Sequence, residues 1–198
     1  MTAPILEAVL LEGPTVRLEP LDPRHADDLT RAAADGDVWR KWTTHIPAPD
    51  QVPAEIVARR AAHAAGRIVP WAVVTGGRAV GMTTYWSIDE ANRRLEIGAT
   101  WLGASAQGTR TNPEAKLLLL TRAFEVLDCI AVEFRTHFHN RQSRAAIERL
   151  GAKLDGVLRN HQIGREGTLR DTVVYSILAS EWPTVRLGLL ERLGAVHQ

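Results

Sequence analysis

The chain has 198 residues, of which 45% are hydrophobic, and its 24 basic residues nearly balance its 23 acidic ones. This size suits one domain with one core, and the balanced charge excludes a global attraction to nucleic acid or to anionic membranes. The single cysteine, Cys129, excludes an intramolecular disulfide and gives no support to a cysteine-rich metal site. Because the start of the chain lacks a basic leader and its apolar run is broken by Glu7 and Glu12, we expect neither a signal peptide nor a membrane span, and a cytoplasmic location.

The first part of the chain predicts one strand and two helices. Residues 16–21 alternate as VRLEPL, which is typical of a strand, and Pro23 opens a helix that runs to Ala34. A second helix is predicted over residues 54–65. The loop between the helices, residues 37–53, holds tryptophans, a histidine and three prolines, and we interpret it as a candidate pocket wall.

The middle of the chain predicts a β-hairpin followed by another strand. Two apolar, β-rich runs flank Gly76 and Gly77, as expected of a hairpin turn. Residues 94–102 then predict a further strand. The chain contains no internal repeat and no long linker, so the elements are expected to share one domain over residues 1–198.

The second half of the chain predicts alternating helices and strands. The predicted elements are a helix over 114–127, a strand over 129–138, a helix over 143–150 that ends at Gly151, two strands that end at Leu178, and a C-terminal helix over about 184–194. We therefore predict an α/β fold with a mixed central sheet of about six to seven strands flanked by helices. The alternation of helices and strands in this half of the chain implies at least one pair of parallel strands. Right-handed crossover connections leave a crevice at the ends of such strands.

The turn that precedes the helix at residues 114–127 is a candidate anion site. Asn112 is a favourable N-cap, and Pro113 suits the first helical position because its missing N–H would have no partner there. Free N–H groups and the helix dipole favour an anion such as a diphosphate at this start, and Gly108 lets a ligand approach the backbone. An ordinary capped helix after a polar loop explains the same residues.

This turn resembles the acetyl-CoA motif of the GNAT superfamily, with Gln107 and Gly108 at the expected positions. The sequences EIGATWL, NxxSxxAIERLGA and RDTVVYSIL resemble the branch that includes the ribosomal-protein N-terminal acetyltransferases, and the likeness covers residues 14–183. It implies an acetyl-CoA-dependent N-acetyltransferase in which a strand splays from its neighbour to form the cofactor cleft. Arg110 stands where the family has glycine, and Asn112 where it has glycine or alanine. The implied contacts to acetyl-CoA are the strand residues Ala99, Thr100, Trp101 and Leu102 and the turn residues Gln107, Gly108, Thr109, Arg110, Thr111 and Asn112.

Glu96 is the candidate general base. By strict alternation, Glu96, Gly98 and Thr100 share one face of the strand, and Leu95, Ile97, Ala99 and Trp101 share the other. A partly buried glutamate has a raised pKa and can remove a proton directly or through water. A structural ion pair of Glu96 with Arg94 or Arg135 explains the same residue.

The helix start at Asn140 is the second candidate contact to acetyl-CoA. In the family the matching asparagine contacts the pantetheine arm, while Asn140 and Ser143 also suit plain helix capping. Arg144 is a candidate partner for CoA phosphates. Many relatives place tyrosine, the general acid, at the position of Ile147, so this role passes to Ser143, another hydroxyl or water.

The resemblance places the amine acceptor near Trp39, Trp42 and His45, and core packing of the tryptophans is the alternative. His137 and His139 lie two apart in a predicted strand without an apparent third ligand, so we predict no metal site.

We expect direct transfer from acetyl-CoA to a primary amine of a protein or a small molecule. No nucleic-acid or membrane partner is expected, and a homodimer stays open. The alternative is a catalytically degenerate CoA-binding or regulatory module, because Arg110, Asn112 and Ile147 depart from the family pattern.

Overall fold

The computed structural model describes residues 4–164 and 167–195 as a mixed sheet flanked by helices. The strands are β1 (Leu11–Glu12), β2 (Val16–Pro20), β3 (Val69–Thr75), β4 (Arg78–Asp89), β5 (Arg94–Leu102), β6 (Ala131–His137), β7 (Lys153–Ile163) and β8 (Leu169–Leu178). The helices are α1 (Ala26–Ala34), α2 (Val52–Ala64), α3 (Thr111–Thr121), α4 (Arg141–Glu148) and α5 (Trp182–Arg192). A π-helical turn, Arg122–Val126, continues α3. The ends of the predicted domain, residues 1–3 and 196–198, lie outside the described residues.

The described strands form one sheet in the order β1-β2-β3-β4-β5-β6-β8-β7. All neighbouring strands are antiparallel except β5 and β6, which are parallel because α3 crosses over between them. The predicted α/β class and the parallel pair are confirmed. The sheet has eight strands where six to seven were predicted. The additional strand is β1, whose two residues are too few to show an alternating pattern in the sequence.

Two hydrophobic cores lie on opposite faces of the sheet. The larger core joins α3 and α5 to residues such as Tyr85, Phe134 and Tyr175, and we call this side the α3 face. The smaller core joins α1 and α2 to Met82 and Trp101, and we call this side the α1/α2 face. The strands β3, β4 and β5 therefore contribute side chains to both cores, because alternate residues of a strand point to opposite faces of the sheet.

The beginnings and ends of the helices follow local chemistry. The helix predicted from Pro23 begins as a 3-10 turn in which the Asp22 side chain accepts a hydrogen bond from the Arg24 N–H. Gly151, predicted to end α4, has a φ of 96°, a conformation that glycine adopts without strain. Among the described residues, no helix is long and apolar enough to cross a membrane.

Candidate active site

The sheet opens between the two parallel strands. Among the described residues, β5 and β6 pair only at Arg94 with Ala131, Leu95 with Val132 and Glu96 with Glu133. Beyond these pairs, β5 continues to Leu102 along β4, and β6 continues to His137 along β8. The strands thus diverge after Glu96, and the backbone of residues 97–102 borders the opening.

A β-bulge at Ala99 alters the direction of the side chains in this part of β5. Thr84 pairs with Gly98 and Met82 pairs with Trp101, so Thr83 lies opposite both Ala99 and Thr100. Ala99 has a φ of 46°, which is uncommon for a residue other than glycine. The extra residue re-aims the strand at the edge of the opening.

The bulge corrects the predicted faces of β5. Thr100 was expected to share a face with Glu96 and Gly98, but its hydroxyl lies on the α3 face, 2.8 Å from the Thr83 Oγ1 and 2.7 Å from the Lys116 Nζ. Trp101 correspondingly packs in the smaller core on the α1/α2 face. Strict alternation fails here because two residues of β5 occupy the place of one.

The loop between β5 and α3 contains a glycine turn. Gly108 has a φ of 73°, and the space where a Cβ would stand has no other atom within 4 Å. The Thr109 hydroxyl donates to the Ala106 carbonyl at 2.8 Å and accepts from the Thr111 N–H at 3.2 Å. Gln107 Nε2 donates to the Leu102 carbonyl at 2.7 Å. These bonds fix the turn at the start of α3.

The predicted N-cap of α3 is wrong. The helix begins at Thr111, and its N-cap residue is Arg110, with a φ of −71° and no side-chain capping bond. Asn112 and Pro113 therefore lie in the first turn of the helix. The backbone of Arg110 is unstrained, and its guanidinium Nη2 donates to the Leu193 carbonyl at the end of α5 at 2.6 Å.

The start of α4 lies near this turn. Asn140 is the N-cap of α4, and its Oδ1 accepts from the Ser143 N–H at 3.1 Å. Gln142 Nε2 donates to Gln107 Oε1 at 3.2 Å, and Gln142 Oε1 accepts from Lys41 Nζ at 3.0 Å. The polar contacts thus link the glycine turn, α4 and the loop that precedes α2.

The remaining predicted residues of α4 have structural contacts. Arg144 Nε donates to the Tyr175 hydroxyl at 3.1 Å, and its Nη1 donates to the Phe138 carbonyl at 3.3 Å. The Tyr175 hydroxyl in turn donates to Glu148 Oε1 at 2.8 Å. Ile147 is buried in the larger core and offers no proton.

Glu96 lies where β5 and β6 begin to diverge, on the α1/α2 face. Burial raises the pKa of Glu96, while the positive charge of Arg135 opposes this shift and the negative charge of Glu133 adds to it. The Glu96 Oε2 is 3.7 Å from Arg135 Nε and accepts from the Ser87 hydroxyl at 3.3 Å. Of the two ion pairs considered for Glu96, the structure contains the one with Arg135. Arg94 instead pairs with Glu133 at 2.6 Å.

The loop that precedes α2 forms one wall of a cleft. The cleft is lined by Trp42, Thr44, His45, His137, Gln162, Ile163, Gly164, Thr168 and Arg170. The Trp42 and His137 rings form a T-shaped contact, with 4.9 Å between their centroids. Trp39 lies elsewhere, packed against the smaller core beneath the Arg40 guanidinium. The structure therefore brings Trp42 and His45 together, but not Trp39.

His137 and His139 lie close together, with 5.6 Å between their ring centroids. The described part of the chain contains no group of three or more histidine, cysteine, aspartate or glutamate residues that would hold a metal.

Sequence reasoning missed three charged residues around this region. Lys116 is buried beside Thr100, and the carboxylate of Glu114, in the first turn of α3, accepts from the N–H groups of Thr15 and Val16 at 2.7 and 2.9 Å. Arg170 lines the cleft from β8. In sequence, Lys116 and Glu114 stand out only as charges in the helix predicted over 114–127, and Arg170 as a charge at the start of an apolar strand.

Comparisons with known proteins agree on one family. A sequence model described as "Acetyltransferase (GNAT) domain" matches residues 15–153. A Bacillus subtilis protein named "Putative ribosomal N-acetyltransferase YdaF" is 34% identical over 106 residues, which cover 54% of this chain and 57% of that protein. The chain thus spans little more than half the length of this curated relative.

Solved structures match over most of the chain. A GCN5-related N-acetyltransferase from Brucella melitensis is 31% identical, with a TM-score of 0.86 over 96% of this chain and 87% of that one. Mycobacterium smegmatis RimJ, solved in complex with CoA-disulfide, is 25% identical, with a TM-score of 0.78 and 94% of each chain covered.

Proposed function

Because the chain belongs to the GNAT acetyltransferase family, we propose that it transfers the acetyl group of acetyl-CoA to a primary amine by direct attack in a ternary complex. The observation that carries the proposal is the opening between β5 and β6, which has the Ala99 bulge and the Gly108 turn on one side and Glu96 at its closed end. The acceptor is the N-terminus of a protein, a lysine or a small amine.

The residues around the opening fit a CoA thioester. The turn of residues 107–112 presents open space at Gly108 and leads into the N-terminus of α3, whose free N–H groups and dipole favour phosphate. The β5 backbone of residues 99–102 borders the opening, where N–H groups can bind the pantetheine arm and polarise a carbonyl. Acetyl-CoA, when bound, supplies the activated acetyl thioester. Asn140 and Ser143 lie at the start of α4 on the other side of the opening.

Glu96 is proposed to act as the base. Its buried carboxylate, with a raised pKa, would accept a proton from the acceptor ammonium directly or through water. The backbone N–H groups of β5 would stabilise the oxyanion that forms when the amine attacks. Ser143 or a water molecule would return a proton to the leaving thiolate, because Ile147 has none to give. Trp42 and His45 would contact the acceptor.

The competing function is a CoA-binding module without catalysis. Ile147 at the position of the usual acid favours this alternative.

Thiol release from acetyl-CoA with a panel of primary amines, combined with calorimetry of CoA binding, tests the proposal. Micromolar-scale CoA affinity with amine-dependent thiol release would support transfer. CoA binding without thiol release for any amine would favour the module, and no heat or thermal shift at millimolar CoA would contradict both.

A further inference from the structure

The cleft beside the proposed acceptor site contains a guanidinium with an unused donor. The Arg170 Nε is buried and, among the described residues, has no hydrogen-bond acceptor. A buried guanidinium N–H without a partner is costly, because desolvation is not offset by a hydrogen bond. Such a donor at the wall of a cleft is a ready partner for a bound anion.

Arg170 lies on the same face of the sheet as Glu96. In β8, Val173, Tyr175 and Ile177 pack in the larger core on the α3 face, so the alternate residues Thr172 and Arg170 face the other side. The charges of Arg170 and Glu96 influence each other's pKa. The glycine turn and α3, in contrast, belong to the α3 face. An anion at Arg170 would therefore come from the acceptor and not from CoA.

Among the described residues, the carboxylates near Arg170 pair with other arginines. Glu133 is 2.6 Å from Arg94 and 2.9 Å from Arg135, and Glu96 interacts with Arg135. Asp171, the next residue to Arg170, pairs instead with Arg159 at 2.6 Å. The two carboxylates Glu96 and Glu133 thus face three guanidiniums, and Arg170 is the one without an ion pair among the described residues.

We propose that Arg170 is a specificity-determining residue that binds an anionic group, carboxylate or phosphate, of the amine acceptor. This inference rests on the proposed function, since it assigns the class of acceptor for the same site. Arginine suits the role because its planar guanidinium offers several N–H donors to one oxyanion group. Trp42 and His45, which also line the cleft, would flank the acceptor.

The test compares acceptors that differ only in the anion. The pairs are β-alanine with its amide, phosphoethanolamine with ethanolamine, and a short peptide with aspartate or asparagine as its second residue. We expect the wild-type kcat/KM to favour at least one anionic member by about tenfold or more. The pair with the largest preference identifies the class of the acceptor as an amino acid, a phosphorylated amine or a peptide. Equal kcat/KM within all three pairs would overturn the proposal.

Variants then assign the preference to Arg170. Arg170→Gln should reduce the ratio of anionic to neutral kcat/KM to about one, and Arg170→Lys should restore part of it. Arg159→Gln is the matched control, because Arg159 is an exposed arginine that pairs with Asp171. An unchanged ratio in Arg170→Gln, or a loss of CoA affinity equal to the loss of acceptor affinity, would contradict the assignment.

Binding measurements separate the two proposals. Calorimetry of each acceptor pair with CoA present reports Arg170-dependent anion binding even without turnover. Anion binding that is lost in Arg170→Gln, with no thiol release, would contradict the proposed transfer and support the subsite. Thiol release without any anion preference would support the proposed transfer and contradict the anion subsite at Arg170.

Discussion

The Lys116 Nζ donates a hydrogen bond of 2.7 Å to the Thr100 Oγ1, beside the bulge at Ala99 that borders the opening of the sheet. A weaker contact of 3.4 Å reaches the Thr83 hydroxyl. None of the ion pairs among the described residues includes Lys116. Burial lowers the pKa of Lys116 from 10.5 to about 7, because a buried ammonium without a counter-charge is poorly solvated.

This lysine should make stability depend on pH. Between about pH 7 and 10 the unfolded chain holds a proton on Lys116 that the folded chain has lost, so the free energy of unfolding rises with pH. Relative to Lys116→Met, the wild type should gain about 1.4 kcal/mol per pH unit in this window. Urea unfolding at several pH values measures the slope. Lys153→Met, which alters an exposed lysine, is the control, and parallel pH curves for wild type and Lys116→Met would refute the assignment.

Glu96→Gln should lower kcat by about 10²- to 10⁴-fold and leave CoA affinity nearly unchanged, because it removes the proposed base and keeps its shape. In the wild type, kcat/KM should fall as the pH drops through a pKa above the ordinary 4.5 of a glutamate, since the base must be deprotonated. Steady-state rates over pH and calorimetry with CoA measure both effects. Equal activity of the variant at every pH would show that Glu96 has a structural role.

Glu133→Gln should move the acidic limb of the rate profile to lower pH. The charge of Glu133 raises the pKa of Glu96, and its removal also frees Arg135 from a competing carboxylate. The maximal rate should change little, because Glu133 has no proposed chemical role. The pH profile of kcat/KM checks the shift, and a limb that moves to higher pH would contradict this account of the Glu96 environment.

Glu114→Gln should destabilise the fold by about 2 to 3 kcal/mol, the scale of hydrogen bonds to a buried charged group. The carboxylate accepts from the N–H of Thr15, the N–H of Val16 and the Thr15 hydroxyl. In glutamine the amide oxygen can still accept from the two backbone N–H groups, but the negative charge is lost, and an amide nitrogen that only donates replaces the oxygen that accepts from the Thr15 hydroxyl. Urea unfolding measures the loss, with the exposed Glu12→Gln as control. A loss no larger than that of the control would mean that these bonds contribute little.

The sequence predicts the elements better than the local irregularities. The hairpin at Gly76–Gly77 and the strand Arg94–Leu102 agree with the structure, because glycine turns and period-two patterns are local signals. The bulge at Ala99 depends on pairing with β4, and it changed the expected face of Thr100. The helix α3 begins at Thr111 without a side-chain cap, so the capping preference of Asn112 predicted its start at the wrong residue. The neighbours of Glu96 and Arg170 come from other strands, which no local pattern specifies.

Arg110→Ala decides between two roles for the residue that departs most clearly from the family motif. The Arg110 Nη2 donates to the Leu193 carbonyl at 2.6 Å, so the guanidinium anchors the end of α5 to the start of α3. We therefore expect Arg110→Ala to lower the free energy of unfolding by about 1 kcal/mol, because the bond is partly exposed, and to change the CoA dissociation constant by less than about threefold. If the guanidinium instead pairs with a CoA phosphate, the variant should weaken CoA binding by about 1 to 3 kcal/mol, more at low salt, with an unchanged melting temperature. Thermal unfolding and CoA calorimetry at two salt concentrations measure both quantities, with Arg192→Ala in the last turn of α5 as control. Tighter CoA binding in both Arg110→Ala and Arg110→Gly would contradict both roles and indicate that the side chain obstructs the turn.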